Sequence, residues 1–122
     1  MEKISVSMKD YPGNKNITVI SVKGELDFNT APALEDNLRW ALKDKKFNLI
    51  IEMEDVVYIA SAGWSVFVSM LKNIRTGKGD LVLAWMKPGV SGIFELLEFN
   101  TILKAFPNVE SAALAAFKKP PK

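Results

Sequence analysis

A serine in a turn of small residues is the feature of this sequence that is best suited to chemistry. The turn Ala60-Ser61-Ala62-Gly63 follows an apolar segment and precedes a helical pattern that begins near Ser61. Helix N-termini carry unpaired N–H groups and a partial positive charge, so they favour a capping serine and also a phosphate. The local pattern alone favours a helix cap. Whether Ser61 is also a phosphorylation site depends on features elsewhere in the chain.

Enzymatic catalysis finds little support in the residue types. The chain has no His and no Cys, which excludes Ser-His-Asp and Cys-His sets, thiolate sites and histidine metal ligands. Glu52, Glu54 and Asp55 are close in sequence, but neighbours in a strand point to opposite faces, so these residues form no obvious carboxylate pair. We therefore expect no enzyme activity, no cofactor and no metal.

Composition and charge limit the classes of partner that the chain is expected to bind. The 122 residues suggest one domain, and the net charge of +2 is too small to indicate nucleic acid binding. No apolar run approaches the ~20 residues needed to cross a bilayer, and the N-terminus lacks the apolar core of a signal peptide. The sequence predicts a cytoplasmic domain over residues 3–117, with 118–122 as a basic, flexible tail.

Strand and helix patterns alternate along most of the chain. Alternating apolar residues in 4–8 and 16–23 flank a Pro-Gly-Asn turn and predict an antiparallel hairpin. An apolar run in 47–53, with a strand end near Ile50-Ile51, predicts a central strand covered on both faces. The full order is β-β-α-β-α-β-α-β-α. This order predicts an α/β domain with a mixed, mainly parallel sheet of about five strands and about four helices.

The helix that follows Ser61 has two apolar sides. One side should face the sheet and contains Val66, Phe67, Met70, Leu71 and Ile74. The other side begins at the serine turn and contains Ser61, Trp64, Ser65, Val68 and Lys72. We expect Trp64 to be partly exposed there and to contact a partner, since Trp is over-represented among interface hot spots.

Two stretches together resemble the STAS domain of bacterial anti-sigma factor antagonists. Gly24-Glu25-Leu26-Asp27, followed by Thr30, Ala31 and Leu34, is similar to the first signature of that family. Met53 to Gly63, with Ser61-Ala62-Gly63, resembles the second signature, and 94–103 is similar to the third helix and last strand. The resemblance spans about residues 3 to 117.

The resemblance implies a protein-binding switch. Antagonists of this family bind an anti-sigma factor that is also a serine kinase, and thereby release a sigma factor. The kinase inactivates the antagonist by phosphorylating the serine that aligns with Ser61, and a phosphatase restores it. Asp27 aligns with an acidic residue near the phosphorylation site. The expected partner surface comprises Asp27, Ala62, Gly63, Trp64, Ser65 and Val68.

Two positions depart from the family pattern. The acidic residue that usually precedes the serine is Ala60, and the small aliphatic residue after the glycine is Trp64. Ala60 favours an alternative hypothesis, in which the chain is a non-phosphorylated STAS subunit of a larger regulatory or lipid-trafficking assembly. Trp64 enlarges the apolar surface expected beside the serine.

Overall fold

The computed structural model describes residues 3–117, and the predicted tail, residues 118–122, lies outside the described residues. Its strands are β1 (Ile4–Tyr11), β2 (Asn14–Leu26), β3 (Asn48–Ile59), β4 (Asp80–Ala84) and β5 (Lys104–Phe106). Its helices are α1 (Ala31–Lys43), α2 (Ser61–Thr76), α3 (Pro88–Leu96) and α4 (Val109–Ala116), and a 3₁₀ turn at Phe99–Thr101 follows α3. This order of elements is the predicted one.

The five strands form one sheet in the order β1-β2-β3-β4-β5. β1 pairs with β2 in an antiparallel hairpin, and the pairs β2–β3, β3–β4 and β4–β5 are parallel. The predicted mixed, mainly parallel sheet is therefore confirmed. Because β2 and β3 are parallel and a helix follows each, α1 and α2 both begin at the same edge of the sheet.

Helices cover both faces of the sheet, which explains the continuous apolar run in β3. Leu49, Ile51 and Met53 are buried in the larger core cluster, which includes residues of α1, α2 and α3. Ile50 points to the other face and packs in the smaller cluster with Ala112 and Ala113 of α4. Alternate residues of one strand thus enter two cores, as expected for a strand buried on both sides.

The prediction that β3 ends near Ile50-Ile51 is wrong. The strand continues to Ile59, because Val56 and Ile59 are buried and residues 55–59 pair with the end of β2. The register of the β2–β3 pairing shifts twice, so the two strands remain paired although Glu54 and Asp55 interrupt the alternation of apolar residues in β3.

No helix within residues 3–117 is long and apolar enough to cross a membrane.

Candidate functional site

The two signature stretches meet at the C-terminal ends of β2 and β3. Leu26, the last residue of β2, is paired with Ile59, the last residue of β3. The N–H of Ala60 also donates to the carbonyl of Leu26 at 2.7 Å. The residues that follow, Asp27 and Ser61, therefore lie at the same edge of the sheet, where binding sites gather in parallel sheets.

Asp27 is held in place by a small hydrogen-bond network. Its Oδ1 accepts from the N–H groups of Asn29 at 2.9 Å and Thr30 at 3.1 Å, and the Thr30 hydroxyl lies at 3.3 Å. The Thr30 hydroxyl also accepts from the N–H of Asp27 at 2.8 Å and donates to the carbonyl of Glu25 at 2.7 Å. The turn between β2 and α1 is thus fixed by a buried threonine and a carboxylate.

The Asp27 carboxylate is stabilised in its charged form. Desolvation, which by itself raises the pKa, is outweighed by the hydrogen bonds from Thr30 and Asn29 and by the charge of Lys3, so the pKa of Asp27 lies below its ordinary value. At neutral pH the carboxylate of Asp27 is therefore charged and held in one orientation, at the edge of the sheet where α2 begins.

Ser61 is not the N-cap of α2, and that expectation is wrong. Ala60 occupies the cap position with extended backbone, and its carbonyl accepts from the N–H groups of Gly63 and Trp64. Ser61 is the first helical residue, is exposed, and its hydroxyl makes no capping hydrogen bond. The helix begins one residue earlier than a serine cap requires, so the hydroxyl projects from the first turn, where α2 presents its N–H groups.

Gly63 allows the first turn of α2 to pack closely on the strand ends. A Cβ atom at this position would lie 2.8 Å from Ile59 Cγ2 and 2.9 Å from Leu26 Cβ. Such distances are shorter than real Cβ contacts. The buried glycine therefore sets how near the Ser61 turn stands to the Asp27 turn.

Trp64 is buried, which contradicts the predicted partial exposure. Its side chain is 1% exposed and stacks on Phe99 with ring centroids 5.0 Å apart, and Phe94 lies at 5.8 Å. The helical periodicity places Trp64 outside the sheet-facing stripe of α2, which is why the sequence predicts exposure. In the structure α3 and the 3₁₀ turn cover that side of α2. Among residues 3–117 the indole Nε1 finds no hydrogen-bond partner. In this conformation Trp64 cannot touch a partner directly; it packs α2 against α3.

The other expected partner-contact residues differ in exposure. Ser65 is exposed, Ala62 and Val68 are half-buried, and Gly63 is buried. Ala62 and Ser65 line a groove of about 420 Å³ between α1 and α2, and Val68 packs at the edge of the core. Gly63 acts through the packing described above rather than through an exposed surface.

Phe28 is a candidate contact residue that sequence reasoning missed. It lies directly after Asp27, is 82% exposed, and lines the α1–α2 groove together with Ala62 and Ser65. A single aromatic residue in a loop belongs to no periodic pattern. Its signal in the sequence was only its place between two polar residues of the Asp27 turn.

The described residues offer no group of three or more His, Cys, Asp or Glu side chains that could hold a metal ion. The geometry instead combines an exposed hydroxyl, an oriented carboxylate and an exposed aromatic ring at one edge of the sheet. This set of groups suits recognition of another protein and modification of the hydroxyl.

The family model for the STAS domain matches residues 8–112. The chain belongs to the STAS domain family. The anti-sigma-B factor antagonist of Listeria monocytogenes is 32% identical over 91 residues, which cover 75% of this chain and 79% of the relative.

Solved STAS structures share the fold. An anti-sigma factor antagonist from Mycobacterium paratuberculosis superposes with a TM-score of 0.81 at 24% identity, over 93% of both chains. The Bacillus cell fate determinant SpoIIAA in its phosphorylated form gives a TM-score of 0.67 at 14% identity, over 90% of this chain and 98% of that one. Both likenesses establish the STAS fold of this chain.

Proposed function

We propose that this STAS domain is an anti-sigma factor antagonist. It binds an anti-sigma factor that is also a serine kinase, releases a sigma factor, and is switched off when Ser61 is phosphorylated. The proposal is supported by the name of the Listeria relative and by the position of Ser61. Ser61 is exposed in the first turn of α2, at the same edge of the sheet as the charged Asp27 and the exposed Phe28.

Phosphorylation at this position would act locally. A phosphate adds roughly −1.5 to −2 charges at pH 7 and three acceptor oxygens. The N–H groups at the start of α2 would accommodate it, so the domain keeps its fold. A partner surface that packs against the uncharged Ser61 turn would have to accept both the volume and the charge, and binding would weaken.

The alternative is a STAS subunit that binds its partner constitutively within a larger regulatory or lipid-trafficking assembly. Ala60 favours it, because the acidic residue that usually precedes the serine is missing here. The two functions differ in whether Ser61 is phosphorylated, and in both the partner binds the surface around Ser61.

The test starts with affinity purification from the native cell, which must recover an anti-sigma factor. The purified partner is then incubated with the chain and ATP, and the mass of Ser61-containing peptides is measured. Binding constants of wild type, Ser61→Ala and Ser61→Asp complete the test. The switch requires a phosphate on Ser61, retained binding for Ser61→Ala and weakened binding for Ser61→Asp. An unmodified Ser61 together with wild-type binding by Ser61→Asp would support the constitutive subunit instead.

A further inference from the structure

We infer that the α1–α2 groove receives a basic amphipathic segment of the anti-sigma factor, anchored by Phe28. This inference rests on the proposed function and names the chemistry of the partner. The groove is defined by Phe28, Ala31, Pro32, Glu35 and Asp36 on one wall, and by Ala62, Ser65, Val66 and Ser69 on the other.

The apolar part of the groove is suited to bind an apolar side chain of the partner. Phe28 stands at its mouth with 82% of its surface exposed, next to the exposed Pro32 and the half-buried Ala62. The exposed ring of Phe28 is the kind of residue that carries binding energy at interfaces once a partner covers it. Its surface faces solvent in the unbound chain, so binding loses no internal contact.

The charges of the groove select a basic partner. The described residues that line it include two carboxylates and neither lysine nor arginine. Glu35 is paired with Arg39 at 2.9 Å, whereas the exposed Asp36 has no ion-pair partner within residues 3–117. A lysine or arginine of the partner, placed beside an apolar residue, complements Asp36 and the apolar wall together.

Asp36 and Ser61 lie at different heights along the two helices, and Ser61 is next to the groove residue Ala62 rather than part of the lining. Asp36 is the sixth residue of α1, about 8 Å along the helix from its start at a rise of 1.5 Å per residue. Ser61 is the first residue of α2, at the edge of the sheet where both helices begin. A phosphate there meets the partner near the mouth of the groove, and the α2 N-terminus holds its charge, so the switch and the basic contact do not conflict.

Cross-linking identifies the occupant. The chain contains no cysteine, so Ser65→Cys introduces a single thiol in the groove and Leu114→Cys a single exposed thiol on α4. Each is labelled with a photoreactive maleimide and irradiated with the anti-sigma factor recovered by affinity purification. We expect a cross-link from the Ser65 position to a partner peptide that carries Lys or Arg beside apolar residues, and at least a fivefold lower yield from the Leu114 position. An acidic peptide, or equal yields, would overturn the inference.

Binding constants provide an independent test with matched controls. Phe28→Ala and Asp36→Lys should each weaken binding at least tenfold, while Trp40→Ala and Glu110→Lys, which change exposed residues outside the groove, should stay within twofold. If Phe28→Ala binds like Trp40→Ala, and Asp36→Lys like Glu110→Lys, the groove is not the docking site although the proposed function stands. If the wild type binds no anti-sigma factor at all, the proposed function itself fails, and the groove assignment with it.

Discussion

The Thr30 hydroxyl lies between the main chain of the Asp27 turn and the Asp27 carboxylate. It accepts from the N–H of Asp27, donates to the carbonyl of Glu25, and lies 3.3 Å from Asp27 Oδ1. Thr30 itself is buried and the two hydrogen bonds are partly buried, so solvent replaces them only in part when the hydroxyl is removed.

Replacement of Thr30 by valine keeps the shape and removes the hydroxyl. We expect Thr30→Val to lower the free energy of unfolding by about 1–3 kcal/mol, because the half-buried N–H of Asp27 and the carbonyl of Glu25 lose their partner. Thr30→Ser retains the hydroxyl and should recover most of the loss. Urea denaturation of the three proteins measures the effect. Equal stability of the valine variant and wild type would show that the hydrogen bonds contribute nothing.

Acid should destabilise the domain in part through Asp27. The hydrogen bonds to the carboxylate lower its pKa in the folded chain below the ordinary value of 3.8, so its contribution to stability is complete above that value. The contribution is lost as the pH falls from 3.8 through the lower folded pKa, since the unfolded chain binds the proton first. The carboxyl ¹³C shift of Asp27, followed by NMR from pH 6 to 2, should give a midpoint below 3.8. A midpoint at or above 3.8 would contradict the prediction.

Gly63 and Gly92 should respond oppositely to alanine. A methyl group at Gly63 would collide with Ile59 and Leu26, and we expect a loss of about 1–3 kcal/mol from overpacking. Gly92 lies inside α3 with nothing within 4 Å of its added Cβ, so Gly92→Ala should stabilise the domain by about 0.5–1 kcal/mol through helix propensity. Thermal unfolding of both variants measures the difference. A stabilised Gly63→Ala would disprove the close packing of the Ser61 turn.

Trp64 should matter greatly for stability. Removal of its buried ring in Trp64→Ala should cost about 3–5 kcal/mol, because the contacts with Phe99 and Phe94 are lost and a cavity remains. Trp64→Phe keeps an aromatic ring, removes the unpartnered N–H and should cost less. Denaturant titration distinguishes the two. A small loss for Trp64→Ala would indicate that the side chain is exposed in solution.

Ser61 should contribute little to stability. Its hydroxyl makes no capping bond, so Ser61→Ala should change the free energy of unfolding by no more than about 0.5 kcal/mol, the range of ordinary surface changes. Ser61→Asp should be neutral or slightly stabilising, because a carboxylate suits the first turn of a helix. Chemical denaturation of both variants is the measurement. A loss near 1 kcal/mol in Ser61→Ala would restore a capping role.

The sequence predicts the order of elements well, because the apolar periods of strands and helices are strong local signals. The same local reasoning fails at Trp64, whose burial depends on α3 and the 3₁₀ turn packing across α2. It also misplaces the cap of α2, since the choice between Ala60 and Ser61 follows from where β3 ends. The groove at Phe28 requires two helices far apart in sequence, so no single stretch could reveal it.

The stacking of Trp64 on Phe99 provides an intrinsic fluorescence probe of how α2 packs against α3. Of the three tryptophans, Trp64 is 1% exposed whereas Trp40 and Trp85 are 66% and 45% exposed. With the two exposed indoles replaced by phenylalanine, the remaining tryptophan fluorescence comes from Trp64, three residues after Ser61. Its emission would record any shift of α2 against α3 when a partner docks or a phosphate is attached, without an added dye.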